Sequence, residues 1–322
     1  MNVIIPILDI WGEGFIEAGY STPKPLINLL GDSIIKKMIS FLKLKEYDKL
    51  FIVYNKELEE YNFVPYIKNN FPDLNIEFVS LIRNKEKNRE SIENAFKEIK
   101  NESCILLNYY TFYYEDILEK FRVRENKNFI FCQNEDLTKY GALGFSKIET
   151  LISLLNLEID ISDIEAISSK IIIKDYFNVF SVSDLLSYKD RKENFIKKRF
   201  CFDLDNTLVT YPKIKGDYST VEPIVKNIEY LRFLKESGHH IIIYTARKMT
   251  THGGNIGKIF ADVGKTTLDT LEKFEIPFDE IFFGKPNADF YIDDLAINSH
   301  HEISKLTGFF DCNIISEKIN KV

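Results

Sequence analysis

The stretch RFCFDLDNTLVTY, residues Arg199–Tyr211, decides the fold of the C-terminal part of the chain. Its apolar run ends at two aspartates, Asp203 and Asp205, which are followed by Asn206 and Thr207. Side chains two positions apart in a strand point to the same face, so the two carboxylates should lie close together. Like charges at that spacing repel unless a proton or a cation lies between them. The stretch therefore predicts a strand that ends at a charged site.

Apolar strands alternate with helical segments on both sides of this stretch, which is typical of an α/β fold. The chain has 322 residues, more than one core usually organises, so we predict two domains. The N-terminal domain is placed at residues 1–185, a linker helix at 186–198 and the C-terminal domain at 199–322. A helix that begins at Ser181 should continue into the linker. Each domain is expected to be a mostly parallel sheet flanked by helices.

The composition excludes several classes of function. The formal net charge is −7 and the pI about 5.5, which argues against a nucleic-acid binder or a membrane-surface binder. No apolar run approaches the roughly 18 residues that a membrane span needs, and no basic leader predicts a signal peptide. The four cysteines have no C-x-x-C spacing, so neither a disulfide framework nor a zinc site is expected. A reducing cytoplasm is the expected location.

Four polar clusters follow predicted strand ends in the C-terminal domain. They are DLDNT at residues 203–207, Thr245 in IIIYTAR, Lys285 in FFGKP, and the pair Asp293 and Asp294 in YIDDLAIN. Ligands bind outside the carboxyl ends of the strands in an open parallel sheet, so the clusters should converge on one cleft. A carboxylate nucleophile, a second carboxylate and a cationic grip suit phosphoryl chemistry, and oxygen ligands suit Mg²⁺.

These four clusters resemble the motifs of the haloacid dehalogenase superfamily over roughly residues 198–315. The resemblance implies a Rossmann-like fold without a large cap, because the segments between the motifs are short. It implies that Asp203 is the nucleophile, Asp205 the general acid and base, and that Thr245 and Lys285 complete the catalytic set. It implies a magnesium ion held by Asp203, by the backbone carbonyl of Asp205 and by Asp294, with Asp293 acting through water. The expected activity is that of a phosphoric monoester hydrolase with an aspartyl-phosphate intermediate.

The segment ARKMTTHGGNIGK after Thr245 is polar and rich in glycine. Substrate contacts are predicted for six residues: Asn206, Thr207, Ala246, Arg247, Lys248 and His252. A solvated loop is the alternative for this segment. The surrounding sequence also resembles capsule-cluster phosphatases, which implies a phosphorylated sugar or polyol used in surface-polysaccharide assembly. The cleft should be open, or covered by another subunit or by the N-terminal domain.

The N-terminal stretch IIPILDIWGEGFIEAGYSTPKPLI resembles the start of sugar-phosphate nucleotidyltransferases. Phe15, Gly19 and the segment PKPLI at residues 23–27 carry the resemblance. In that family, loop glycines and an arginine receive the triphosphate. The corresponding loop here contains two acids and an indole that should repel or block a triphosphate: Asp9, Glu13 and Trp11.

The later metal site of that family also looks altered, because CILLNYY places Asn108, Tyr109 and Tyr110 where an aspartate is expected. We therefore predict a nucleotidyltransferase-like domain that has lost its activity. Two alternatives stay open. One is a bifunctional enzyme that retains nucleotidyl transfer, and the other is a non-catalytic scaffold in a biosynthetic complex.

Overall fold

The computed structural model describes the chain except for residues 13, 83–84, 98, 100, 125–126, 133–139, 156–167, 189–196, 292, 294 and 311–322. The chain forms two compact units, Met1–Asp190 and Arg191–Val322. The predicted α/β class is confirmed, since the larger sheet of each unit consists mostly of parallel strand pairs and is flanked by helices. No helix in the described part of the chain is long and apolar enough to cross a membrane.

The first unit is organised around one large sheet. Its strands are β1 (Asn2–Ile7), β2 (Asn28–Leu29), β3 (Asp32–Ser33), β4 (Lys49–Asn55), β5 (Ile76–Leu81), β6 (Cys104–Leu107), β7 (Thr111–Tyr113), β8 (Phe129–Cys132), β9 (Tyr140–Phe145), β10 (Ser169–Ile172) and β11 (Tyr176–Asn178). Its α-helices are α1 (Ile34–Phe41), α2 (Phe63–Asn70), α3 (Lys85–Phe96), α4 (Ile117–Arg122), α5 (Ile148–Leu155) and α6 (Val182–Ser187). Short 3₁₀ helices cover Lys24–Leu26 and Lys56–Tyr61.

Seven strands form the main sheet in the order β10-β8-β9-β6-β1-β4-β5. Strand β1 pairs in parallel with β4 on one side and with β6 on the other. The chain therefore moves outward from β1 in one direction through β4 and β5, and then resumes on the other side at β6. Ligands of open α/β sheets bind where the strand order reverses in this way, outside the carboxyl ends of the strands.

Strand β1 lies at the centre because its sequence, NVIIPI, is apolar on both faces. Val3, Ile4, Ile5 and Ile7 are fully buried, as expected for a strand of a parallel sheet covered by helices on both sides. Burying each such side chain contributes about 1.5–3 kcal/mol. The central strand is thus a rigid support for the loop that follows Ile7.

The predicted helix from Ser181 is confirmed at its start but is shorter than expected. Ser181 and Asp184 form a reciprocal capping box at the first turn of α6. The helix ends at Ser187 because Tyr188 has an extended ψ of 118°. Residues 189–196, which include most of the predicted linker helix, lie outside the described residues.

The second unit contains a smaller parallel sheet in the order β12-β13-β14. Its strands are β12 (Arg199–Asp203), β13 (His240–Thr245) and β14 (Glu280–Phe283), its α-helices are α7 (Val225–Glu236), α8 (Ile256–Lys273) and α9 (Ile303–Thr307), and a 3₁₀ helix covers Tyr218–Thr220. The β12–β13 register pairs Asp203 with Tyr244, so the predicted clusters after these strands lie at one edge of the sheet.

The predicted strand DFYIDD at residues 289–294 is wrong for the part of it that the structure describes. Residues 289–291 and 293 form no strand. The side chain of Phe290 is 84% exposed, so this apolar run is not buried against the sheet. Asp293 instead accepts a hydrogen bond from the backbone N–H of Leu295 at 2.6 Å, which bends the chain locally.

Candidate functional site

Two loops of the first unit, one after β1 and one after β6, meet where the strand order of the main sheet reverses. Asp9 lies two residues after β1 ends, and Tyr109 lies two residues after β6 ends. The Tyr109 hydroxyl donates a hydrogen bond of 2.9 Å to the backbone carbonyl of Asp9. This bond holds the two strand ends together at the crevice where the sheet topology predicts a ligand.

A buried lysine, Lys24, lies beside these two loops. It begins the 3₁₀ helix Lys24–Leu26, its backbone N–H donates to the carbonyl of Ile10, and its side chain is almost fully enclosed, since the residue is only 2% exposed. The Nζ atom donates a hydrogen bond of 2.9 Å to the Phe180 carbonyl. Four aromatic rings surround the ammonium group at 4.3–5.7 Å from their centroids: Phe15, Tyr109, Tyr110 and Phe180. Ring faces attract a cation at such distances.

Burial lowers the pKa of Lys24 from 10.5 to about 8, and the charges of Asp9 and Asp184 oppose this shift. The lysine therefore remains mostly protonated at neutral pH. A buried cation at the carboxyl ends of two parallel strands is a ready partner for an anionic ligand.

The glycine-containing loop between β1 and Lys24 approaches the lysine closely. Gly12 has φ +67°, and a Cβ atom at this position would lie 2.7 Å from Cδ of Lys24. The Asp9 carboxylate accepts hydrogen bonds from the backbone N–H groups of Trp11 and Gly12 at 3.2 and 3.3 Å. The predicted acid thus lies in the loop as expected, whereas the Trp11 ring packs edge-on against Tyr61. Glu13 lies outside the described residues.

In the second unit, the strand ends bring together three of the four predicted clusters. Lys285 Nζ lies 2.9 Å from a carboxylate oxygen of Asp203. Thr245 is fully buried, and its backbone carbonyl accepts hydrogen bonds from the N–H groups of Gly284 and Lys285. The positive charge of Lys285 thus offsets part of the repulsion between the two aspartates of the DLD sequence.

Asp205 has its own partner. The Arg247 guanidinium donates to both carboxylate oxygens of Asp205, with Nε at 3.1 and 2.9 Å and Nη2 at 2.8 Å. Arg247 is only 2% exposed, donates from Nη1 to the Thr267 hydroxyl at 3.3 Å and lies over the Tyr218 ring at 4.6 Å. Burial raises the pKa of Asp205, while Arg247 acts to lower it. Arg247, which the sequence predicts as a ligand contact, is thus buried and bonded to Asp205.

The other predicted substrate contacts make local bonds. Asn206 has φ +61° and lies 3.4 Å from His300 between side-chain nitrogens, while the Thr207 hydroxyl lies 3.4 Å from that of Ser299. Ala246 is half-buried, and its carbonyl accepts the N–H of Met249. These residues shape the loops at the sheet edge.

Lys248 and His252 share one carboxylate. His252 Nε2 lies 2.7 Å from an oxygen of Asp262, and Lys248 Nζ lies 3.7 Å from the same oxygen. Lys248 adopts φ +60°, a conformation that non-glycine residues seldom adopt and that is enriched at functional sites. The two side chains are half-buried at the start of α8, so they stay candidates for ligand contact.

The predicted Mg²⁺ ligands do not assemble among the described residues. Asp203 and Asp205 are paired with basic side chains, Asp293 bonds to its own turn, and Asp294 lies outside the described residues. No group of three His, Cys, Asp or Glu side chains in the described part of either unit has the arrangement of a metal site. Because Asp294 lies outside the described residues, the described donor set is incomplete, and the Mg²⁺ assignment stays a prediction.

The sequence did not indicate three residues that shape these sites. Phe180 supplies a ring and a carbonyl to Lys24, and Tyr218 and Thr267 hold Arg247. A buried arginine needs a carboxylate partner and further acceptors, but no local sequence signal connects Arg247 with Asp205, which is 42 residues away. No sequence signal connects Lys24 with Phe180, which is 156 residues away.

Neither a protein-family model nor a curated protein matches the sequence. Solved structures do match it. A nucleoside-diphosphate-sugar pyrophosphorylase from Vibrio cholerae is 12% identical, with a TM-score of 0.43 over 56% of this chain and 97% of that one. A putative glucose-1-phosphate thymidylyltransferase from Bacillus anthracis is 14% identical, with a TM-score of 0.46 over 61% and 98%. These matches cover the N-terminal part of the chain.

The assignment of the enzyme to the phosphoric monoester hydrolases is corrected by these comparisons. The two structures named above are described as a pyrophosphorylase and a putative thymidylyltransferase, and neither is described as a phosphatase. The haloacid dehalogenase resemblance and the implied capsule role have no support among them.

One further solved structure is much closer in sequence. It is a structural genomics target from Vibrio cholerae that is 35% identical, with a TM-score of 0.32 over 38% of this chain and 98% of that one. Its description names no activity. Over that 38% of its length, the chain belongs to the same family as this Vibrio cholerae protein.

Proposed function

We propose that the first unit is a nucleotidyltransferase-type domain, which binds a nucleotide and a sugar phosphate in the crevice at the carboxyl ends of β1 and β6. The observation that carries this proposal is Lys24, a buried cation with one described hydrogen bond at the point where the strand order reverses. An ammonium group has three donors. Lys24 can therefore turn donors towards phosphate oxygens.

The loop between β1 and Lys24 supports the same assignment. Gly12, Gly14 and Gly19 have positive φ values, and Gly12 lies against the Lys24 side chain. Backbone N–H groups in such loops bind anions. The names of the matched structures point to the same reaction class, in which a sugar phosphate oxygen attacks the α-phosphorus of a nucleoside triphosphate. The new P–O bond replaces the bond to pyrophosphate, which leaves.

Calorimetric titration of the full chain tests the proposal. The ligands are nucleoside triphosphates, nucleotide sugars and sugar 1-phosphates, each with and without Mg²⁺, and pyrophosphate release is measured in parallel. We expect binding by the wild type and at least a tenfold loss of affinity, about 1.4 kcal/mol, in Lys24→Met. Lys37→Met is the matched control, because Lys37 is also buried in this unit, over the Tyr188 ring.

Equal binding by Lys24→Met and the wild type would contradict the role of Lys24. No binding of any ligand by the wild type would contradict the proposed function itself. Binding without release of pyrophosphate would restrict the first unit to the non-catalytic alternative that the sequence left open.

For the second unit we propose that Asp203, Thr245 and Lys285 contact an anionic or hydroxylated ligand at the sheet edge, with Lys248 and His252 at its border. The 2.9 Å pair between Lys285 and Asp203 supports this, because a ligand can exchange with one member of a half-exposed ion pair. Thermal-shift titration with inorganic phosphate and with Mg²⁺ tests it. Loss of any shift in Lys285→Met supports the assignment, and an unchanged shift contradicts it.

A further inference from the structure

We infer that Asp9 is an internal anion that occupies the phosphate-binding amides of the β1 loop and sets the ligand preference of the crevice against polyphosphates. This inference deepens the proposed function and rests on it. It concerns the kind of phosphate ligand that the crevice accepts, and it makes Asp9 a specificity-determining residue of the first unit.

Two backbone amide groups of the β1 loop point to the same acceptor. The N–H groups of Trp11 and Gly12 both donate to one carboxylate oxygen of Asp9, at 3.2 and 3.3 Å. Gly12 can present its N–H in this way because its φ of +67° is open to glycine and strained for other residues. Neighbouring amides that point to one side form a concave anion site. A carboxylate of the same chain lies in that site.

The side chain of Lys24 lies against the same loop. The side chain of Lys24 is so close to Gly12 that an added Cβ would lie 2.7 Å from its Cδ atom. The Asp9 charge also raises the pKa of Lys24 against the effect of burial. The two amides, the lysine and the carboxylate thus belong to one electrostatic unit.

The Asp9 carboxylate disfavours a phosphate ligand at these amides. A phosphate that reaches the amides has to replace the Asp9 oxygen as their acceptor and then lies beside a negative charge. Repulsion between like charges grows with the charge of the ligand. Pyrophosphate and triphosphate groups are therefore penalised more than a single phosphate, which can contact Lys24 alone. The crevice should prefer sugar monophosphates to free polyphosphates.

Titration of the full chain with inorganic pyrophosphate and with glucose 1-phosphate tests this inference. Asp9→Ala removes both the charge and the acceptor, and we expect it to bind pyrophosphate about tenfold tighter than the wild type does. The gain for glucose 1-phosphate should be smaller. Asp9→Asn should give an intermediate gain, because its amide oxygen can still accept the two N–H groups. It also serves as the second variant if the alanine variant folds poorly.

Asp184→Asn is the matched control. Asp184 acts on the charge of Lys24 as Asp9 does, but its described hydrogen bonds are to Ser181 in the α6 capping box. An unchanged or weaker affinity of Asp9→Ala for pyrophosphate would overturn the inference, as would an equal gain in Asp184→Asn.

The two proposals fail separately. If the wild type binds no nucleotide while Asp9→Ala binds pyrophosphate, the proposed function fails and the role of Asp9 stands. If the wild type binds nucleotide and Asp9→Ala binds pyrophosphate no tighter, the role of Asp9 fails and the proposed function stands.

Discussion

The two units solve the same electrostatic problem in opposite ways. Each places charged side chains at the carboxyl ends of parallel strands. In the first unit the charge beside the ends of β1 and β6 is a buried cation, Lys24, which contacts aromatic rings and one carbonyl. In the second unit Asp203 and Asp205 each have a basic partner, Lys285 and Arg247.

This difference shows how much of a charged site a chain can satisfy by itself. The Asp205–Arg247 pair is complete, since three described hydrogen bonds join the two side chains and Thr267 takes another guanidinium donor. The Lys24 site has a lysine whose pKa has dropped to about 8, so the protein supplies less stabilisation than water does. A ligand with negative charge can supply the remainder. The first unit is therefore the better candidate for binding chemistry.

The largest expected effect comes from breaking the complete pair. Arg247→Ala leaves Asp205 buried without its cation, and removal of one member of a buried ion pair costs about 3–5 kcal/mol. Urea unfolding of the full chain should show this loss in the transition of the second unit. Arg199→Ala is the control, because Arg199 pairs with Glu280 at the surface, where a pair contributes about 0–1 kcal/mol. Equal losses in both variants would contradict the contrast drawn above.

The pH dependence of stability tests the buried environment of Lys24 in the first unit. The pKa of Lys24 is about 8 in the folded protein and 10.5 in an unfolded chain. Between these values the unfolded chain binds more protons, so the lysine's contribution to the free energy of unfolding rises with pH. From pH 7 to pH 11 the free energy of unfolding of the wild type should therefore rise by on the order of 3 kcal/mol relative to that of Lys24→Met. Urea unfolding at each pH measures the two free energies. If both changed with pH by the same amount, the buried environment of Lys24 would be contradicted.

A smaller effect is expected from the loop glycines. Gly12→Ala meets both a φ of +67° and the Lys24 side chain, whereas Gly14→Ala has a similar φ of +78° with no atom within 4 Å of the new Cβ. The left-handed conformation alone costs about 1–2 kcal/mol in each variant. Gly12→Ala should lose roughly 1 kcal/mol more, because Lys24 has to move. Thermal unfolding of both variants measures the difference, and identical losses would mean that Lys24 yields without cost.

The strands were the most predictable part of the fold. The short apolar runs at β1, β4 and β6 favour buried strands, and the structure has strands there. Strand β9 had no such signal, because its sequence YGALGF contains two glycines. Gly144 is needed there for a packing reason, since a Cβ would lie 2.5 Å from the Phe121 ring. Such a contact between distant residues cannot be read from local sequence.

The candidate sites were predictable in position and less so in pairing. The spacing of Asp203, Thr245 and Lys285 at strand ends correctly predicted one sheet edge. It could not show that Arg247 turns inward to Asp205, because that depends on the buried space beside Thr267. The apolar run around Phe290 shows the same limit, since its pattern favoured a strand and its described residues form none.

The most direct test of the central claim is the NMR signal of the Lys24 side chain in ¹³C-lysine-labelled full-length protein, assigned by its absence from Lys24→Met. A pH titration gives the pKa with and without a saturating nucleotide sugar. The account predicts a pKa of about 8 without ligand and a marked rise on binding, because phosphate oxygens stabilise the charged form. An ordinary lysine pKa without ligand, or no change on adding any nucleotide or sugar phosphate, would contradict it.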